Sequence, residues 1–119
     1  MLNWFKKKDN SNQGSGPDFS AIDSQKKALK LFQKGDLAEV HLMPLEFGGE
    51  DSPHNIVFAP EIVKELKQRF DSMIEGLLID GKQLHYTAQP QYKGKSFIPS
   101  QLKISVTGDS EFEETINIW

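Results

Sequence analysis

The stretch from Pro60 to Ile79 constrains the fold more than any other part of the chain. Ile62, Val63, Leu66, Phe70, Met73, Ile74, Leu77 and Leu78 recur there at helical spacing. Pro60 suits the first helical position, Glu61 suits the positive end of the helix dipole, and Asp80-Gly81 stops the run. A helix with one apolar stripe needs a second layer to cover it. The residues that follow supply that layer, because the apolar period changes to two. Leu84, Tyr86 and Ala88 alternate with Gln83, His85 and Thr87 in a strand that Pro90 closes. Leu102, Ile104 and Val106 form one face of the next strand. Gly108-Asp109-Ser110 turns the chain, and Phe112, Glu114, Ile116 and Ile118 share a side of the last.

Upstream of the helix the order is helix, strand, loop, strand. Ser24 caps a helix running to about Lys34, with Ile22, Leu29 and Phe32 as its apolar side and Gly35 as its left-handed stop. Leu37 to Met43 reads as a strand ended by Pro44, and Asn55 to Phe58 as a second short strand. Between them lies a loop rich in turn residues. The pattern has no β-α-β alternation. It predicts an α+β fold, a mostly antiparallel sheet of about four to five strands with two helices packed on one face. Residues 18–119 form that single domain, and residues 1–17 a flexible basic leader and Gly/Ser/Asn linker.

Charge decides which partners such a domain suits. Residues 1–40 carry seven Lys against five acids, whereas residues 41–119 carry seven Lys or Arg against twelve acids. An acidic domain fits a basic protein partner better than a nucleic acid. No apolar run approaches the roughly 18 residues of a membrane span, so no integral membrane association is expected and the chain reads as cytoplasmic. The leader puts Leu2, Trp4 and Phe5 before Lys6-Lys7-Lys8, the reverse of a secretory signal. It is read as a frayed terminus, with weak contact to an anionic membrane as the alternative. With no Cys in the chain, there are neither disulfides nor thiolate metal sites. His41, His54 and His85 are scattered, which suits ordinary strand and loop positions better than a zinc site, so no metal is assigned.

Three loops hold the candidate sites. Lys93-Gly94-Lys95-Ser96 lacks the upstream Gly of a phosphate-binding loop, so it reads as a connection anchored by Tyr92 and Phe97 with its lysines in water. Glu46, Glu50 and Asp51 form one acidic group, and Glu111, Glu113 and Glu114 another. Each is a solvated face or a docking surface for a basic protein. Gly48-Gly49 fits a tight connection with positive φ in which Phe47 plugs the core. The binding residues expected from these loops are Phe47, Gly48, Gly49, Glu50, Asp51 and Asn55, with Tyr92, Lys93 and Lys95.

One constellation goes further. His41 on a strand, Phe47-Gly48-Gly49, and Asn55-Ile56-Val57 leading to a helix resemble the His-Me finger of bacterial DNA/RNA non-specific endonucleases, toxin domains of polymorphic proteins. Gly81-Lys82 and the Tyr92, Gly94, Ser96 loop extend the likeness over residues 35–117. The resemblance implies His41 as the general base, Asn55 as a loop-bracing residue, and magnesium or manganese as cofactor. The departures are concrete. Ala38-Glu39-Val40 stand where the family has an Asp and small residues, and the helix holds no metal-binding Asn. Glu61 or Glu65 would have to substitute, and Arg69 is the only arginine. The reading that follows is a non-catalytic protein-binding domain without cofactor, similar in style to the immunity proteins that accompany bacterial toxins. The alternatives are a metal-dependent nuclease with His41 as base, and a structural domain with a membrane-proximal tail. Neither pattern nor composition fixes an oligomeric state.

Overall fold

A computed structural model describes residues 17–119. The expected leader over 1–17, apart from Pro17, lies outside the described residues. Helix α1 (Gln25–Gln33) is followed by strand β1 (Ala38–His41), two single 3-10 turns (Leu45–Phe47 and Pro53–Asn55) and strand β2 (Ile56–Ala59). Helix α2 (Glu61–Ile79) then leads into β3 (Leu84–Gln91), β4 (Gln101–Gly108) and β5 (Phe112–Asn117). The architecture is α+β.

The five strands form two antiparallel sheets instead of the single sheet expected. One is the β1–β2 pair, in which Ala38 faces Ala59 and His41 faces Ile56. The other has the order β3–β4–β5. Pro90 does not close β3, which continues to Gln91 with Pro90 opposite Leu102. A proline is tolerated there because β3 is an edge strand and its missing N–H leaves no neighbour unpaired. The β1 strand is shorter at both ends than the expected 37–43, and Asn55 precedes β2 in a 3-10 turn.

Alternation along β2 organises the interior. Val57 and Ala59 join Val40, Val63, Ile74, Tyr86, Leu102, Ile104, Val106, Ile116 and Ile118 in the main core. Phe58 points the other way, into a second cluster with Ala28, Leu37 and Ile98. The short sheet is therefore buried on both faces, with α1 against Phe58 and α2 on the side of Val57 and Ala59. This separates the two helices that the sequence reading put on one face. Leu102, Ile104 and Val106 are essentially inaccessible, and each contributes about 1.5–3 kcal/mol by burial.

Ser24 caps α1 as expected, its side chain accepting from the Lys27 N–H, and Gly35 is left-handed at φ 86°. Leu29 is not on the helix's apolar side. Ala28, Leu31 and Phe32 turn inward, and Leu29, one step of about 100° beyond Ala28, is 39% exposed. Neither Tyr92 nor Phe97 anchors the 92–100 connection, for both are about half exposed. Ser96, Ile98, Pro99 and Ser100 are the buried residues. The Ser96 hydroxyl donates to the Phe19 carbonyl at 2.8 Å and accepts from the Ile98 N–H at 3.0 Å.

Trp119 joins the two clusters. Its indole N–H donates to the Ile98 carbonyl at 3.0 Å, and its ring meets Phe19 edge-on at 6.0 Å. Replacing Trp119 by alanine should cost about 2–3 kcal/mol, since the packing and the hydrogen bond go together. Urea unfolding followed by circular dichroism measures this, and an unchanged midpoint would show that the clusters are held together elsewhere.

Candidate functional site

The β1–β2 ladder does not stop at its last paired residues. Beyond His41–Ile56, the Leu42 N–H donates to the Asn55 carbonyl at 2.8 Å. The Asn55 side chain then takes over. Its Oδ1 accepts from the Met43 N–H at 2.9 Å, and its Nδ2 donates to the Met43 carbonyl at 2.9 Å and the Glu50 carbonyl at 2.8 Å. A buried amide thus acts as one more rung and pins the loop that follows. Gly49 passes so close to this rung that a Cβ would sit 2.0 Å from the Met43 carbonyl oxygen. Gly48 is left-handed at φ 98°. The two adjacent glycines therefore serve different needs, one conformational and one steric.

Held in this way, the loop returns to β1. His41 Nε2 lies 2.9 Å from Asp51 Oδ1. An ionised carboxylate only accepts, so Nε2 carries a proton in this pair and neutral His41 keeps its lone pair on Nδ1. Glu50 pairs with His54 at 3.1 Å, and both are largely exposed, which makes that bridge weak. Phe47 leaves the loop inward and meets the Tyr86 ring edge-on at 5.3 Å.

The loop and α2 enclose a cleft of about 460 Å³. Val40, His41, Glu46 and Phe47 line one wall, and Lys64, Lys67, Asp71 and Glu75 the other. Lys67 is 3% exposed. Its ammonium lies 2.7 Å from Asp71 Oδ2 and 5.3 Å from the centre of the Tyr86 ring, while the Tyr86 hydroxyl donates to Asp71 Oδ1. Burial pulls the Lys67 pKa below its ordinary value, against the opposing pull of Asp71 and then Glu46. Burial, and then the hydrogen bond and the charge of Asp71, push the Tyr86 hydroxyl well above its ordinary range.

Lys67, Asp71 and Tyr86 were not among the expected site residues, although the signal exists. Lys67 stands four residues after Val63 and seven before Ile74, on the apolar stripe, and Asp71 follows at the next i+4 position. A count of apolar residues alone passes over both.

The expected binding residues divide into two groups. Phe47, Gly48, Gly49, Glu50, Asp51 and Asn55 belong to one braced loop next to His41. Tyr92, Lys93 and Lys95 do not line the cleft. Lys93 instead lies 4.4 Å over the Trp119 ring, beside the second cluster. Glu113 reaches toward Lys103 at 3.6 Å across the β4–β5 pair and does not line the cleft. The resemblance to His-Me finger enzymes implies a divalent cation near His41, and the side chains do not fit one. Glu61 and Glu65 are not cleft residues, and among the described residues no three His, Asp or Glu side chains gather as ligands. Comparison with protein-family models, with curated proteins and with solved structures finds no match for the chain.

Two outcomes follow from the buried triad. Asp71→Ala leaves the Lys67 ammonium buried without its counter-ion and should cost about 3–5 kcal/mol. Lys67→Met leaves Asp71 hydrogen-bonded to Tyr86 and should cost much less. Chemical denaturation of both variants decides, and equal losses would refute the role given to Asp71. The second outcome concerns alkaline pH. Unfolded tyrosine releases its proton near 10.0 while folded Tyr86 retains it, so this contribution is fully present below that value and is lost progressively as pH rises above it, toward the raised folded value. Lys67 has the opposite sign, its lowered folded pKa adding stability with rising pH up to the ordinary lysine value of 10.5. Above that pH the Tyr86 slope of about 1.4 kcal/mol per pH unit is no longer opposed by Lys67. Tyr86→Phe should remove it from an alkaline denaturation series.

Proposed function

We propose that the domain is a non-catalytic binding module for a basic protein, received at the glycine loop and the cleft beside it. The observation that carries this reading is the pinned loop, which sets Glu46 on the cleft wall opposite Glu75 and holds Asp51 against His41 at the same end. A loop fixed by side-chain and backbone hydrogen bonds loses little entropy when a partner arrives. The charge balance has the matching sign, since residues 17–119 carry sixteen Asp or Glu against eleven Lys or Arg. A basic toxin domain, neutralised in the bacterial cytoplasm in the manner of an immunity protein, is the partner class that the sequence's style favours.

The test is binding to a basic protein domain encoded beside this chain, measured by calorimetry at two salt concentrations. Affinity should fall with salt, and Glu50→Lys with Asp51→Lys should weaken it at least tenfold, mainly by slowing association. Binding that ignores both changes would rule out the acidic loop as the contact.

One observation favours a second reading. His41 lines the cleft and has the Asp51 carboxylate 2.9 Å from its Nε2, a carboxylate–imidazole pair of the kind a hydrolase uses to draw a proton from water. Under this reading the substrate is a phosphodiester. Incubation with plasmid and RNA, with and without magnesium or manganese, tests it directly. Cleavage must appear and must vanish in His41→Ala for the reading to stand.

A further inference from the structure

Charge is separated in space along lines the linear sequence conceals. Residues 17–36 and 92–97 hold six lysines and three aspartates, while the other described residues hold five Lys or Arg and thirteen carboxylates. The two basic segments are neighbours in the fold. The Phe97 N–H donates to the Ile22 carbonyl at 2.7 Å, just before α1, and the Ser96 hydroxyl reaches the Phe19 carbonyl. Lys93 covers Trp119, whose ring meets Phe19. Lys27, by hydrogen bond, and Lys95, through space, hold the Asp23 carboxyl below its usual range.

On α1, Ala28, Leu31 and Phe32 face the second cluster, so Lys26 and Lys30 lie on the outer side, followed by the exposed Lys34 at the C-cap. Lys26, Lys30 and Lys95 make no ion pair among the described residues. Apolar side chains stand out among these lysines, with Leu29 39%, Phe97 45% and Tyr92 48% exposed. The chain enters the fold at this same pole, at Pro17, and the sixteen residues before it include Leu2, Trp4, Phe5 and Lys6-Lys7-Lys8.

We propose that this pole, made of the outer face of α1 and the 92–97 loop, rests on an anionic lipid bilayer. Lysines around protruding Leu, Phe and Tyr match a membrane interface, where the ammonium groups meet headgroup phosphates and the apolar side chains enter the acyl boundary. A nucleic acid is a poorer match, because the pole has no arginine and the rest of the domain is strongly acidic. That acidic remainder does not prevent adsorption. Charges farther than a Debye length from the lipid, about 10 Å at 0.1 M salt, are screened. The residues of this pole are distinct from those of the acidic loop.

Flotation of the full chain with vesicles tests this, using phosphatidylcholine alone and phosphatidylcholine containing about one-third phosphatidylserine. Recovery with the anionic vesicles should exceed that with neutral ones at least tenfold and should collapse in high salt. Each surface lysine contributes about fivefold to partitioning. The triple change Lys26→Glu, Lys30→Glu, Lys95→Glu should therefore reduce it by about a hundredfold or more. Leu29→Ser with Phe97→Ser should reduce it several-fold at unchanged charge. Glu50→Lys with Asp51→Lys should not reduce it, which keeps this result apart from the fate of the acidic loop. Thermal unfolding checks that each variant folds, and glutamine replaces glutamate at the three lysines if the reversal does not.

Equal recovery with both vesicle types would overturn the proposal. So would anionic binding that survives the lysine changes and disappears only when residues 1–16 are removed. Retention of the chain by RNA or duplex DNA through these lysines, with no recovery on vesicles, would assign the pole to nucleic acid and overturn it as well.

Discussion

A lysine ammonium on the apolar stripe of the longest helix is the constraint around which the main core is arranged. Lys67 is almost wholly buried in its position between Val63 and Ile74, so its charge has to be met inside. Asp71, one turn on, supplies the counter-charge, and Tyr86 from β3 supplies the remaining hydrogen bond and an aromatic face. Those contacts tie α2 to the three-stranded sheet by directional bonds, where apolar packing alone would tolerate sliding. Phe47 then closes on Tyr86 from the glycine loop. The cleft is what remains between that loop and the helix, and its floor is the ionic pair.

The second element of order is a side chain doing backbone work. Asn55 extends the β1–β2 ladder by one rung past the end of regular pairing, and so converts a glycine-rich loop into a defined surface. The close passage of Gly49 over Met43 follows from that rung. His41 and Asp51, ten residues apart, meet because the loop between them has been fixed.

These two arrangements show what periodicity conveys and what it omits. The helix over 61–79, the capped helix after Ser24 and the alternating strands from Leu84 onward were legible, because each is a local pattern with a local physical cause. The partition into two sheets was not, since pairing partners are set by which faces the core can cover. Val57 and Phe58 read as parts of one short strand, yet they belong to different clusters. The grouping of His41 with the glycine loop was visible as a motif. The Lys67–Asp71–Tyr86 triad was not, because a lysine and an aspartate four residues apart on a helix fit a solvated face as well as a core. Tyr92 and Phe97 were misassigned because an aromatic ring in a loop is expected inside, whereas here Ile98 takes the interior position.

Charge shows the same limit more sharply. Along the sequence the basic residues thin out after Lys34, and Lys93 and Lys95 look like isolated loop charges. The fold brings them back beside α1 through three contacts, Phe97 to Ile22, Ser96 to Phe19, and Trp119 to Ile98. The dipolar surface is thus a product of how the second cluster closes, and not of local composition. That cluster lies on the Phe58 face of β2, while α2 packs with Val57 and Ala59 on the other. A four-residue strand buried on both faces is what allows one small domain to carry two separate apolar clusters, and the basic segments gather where the second of them closes.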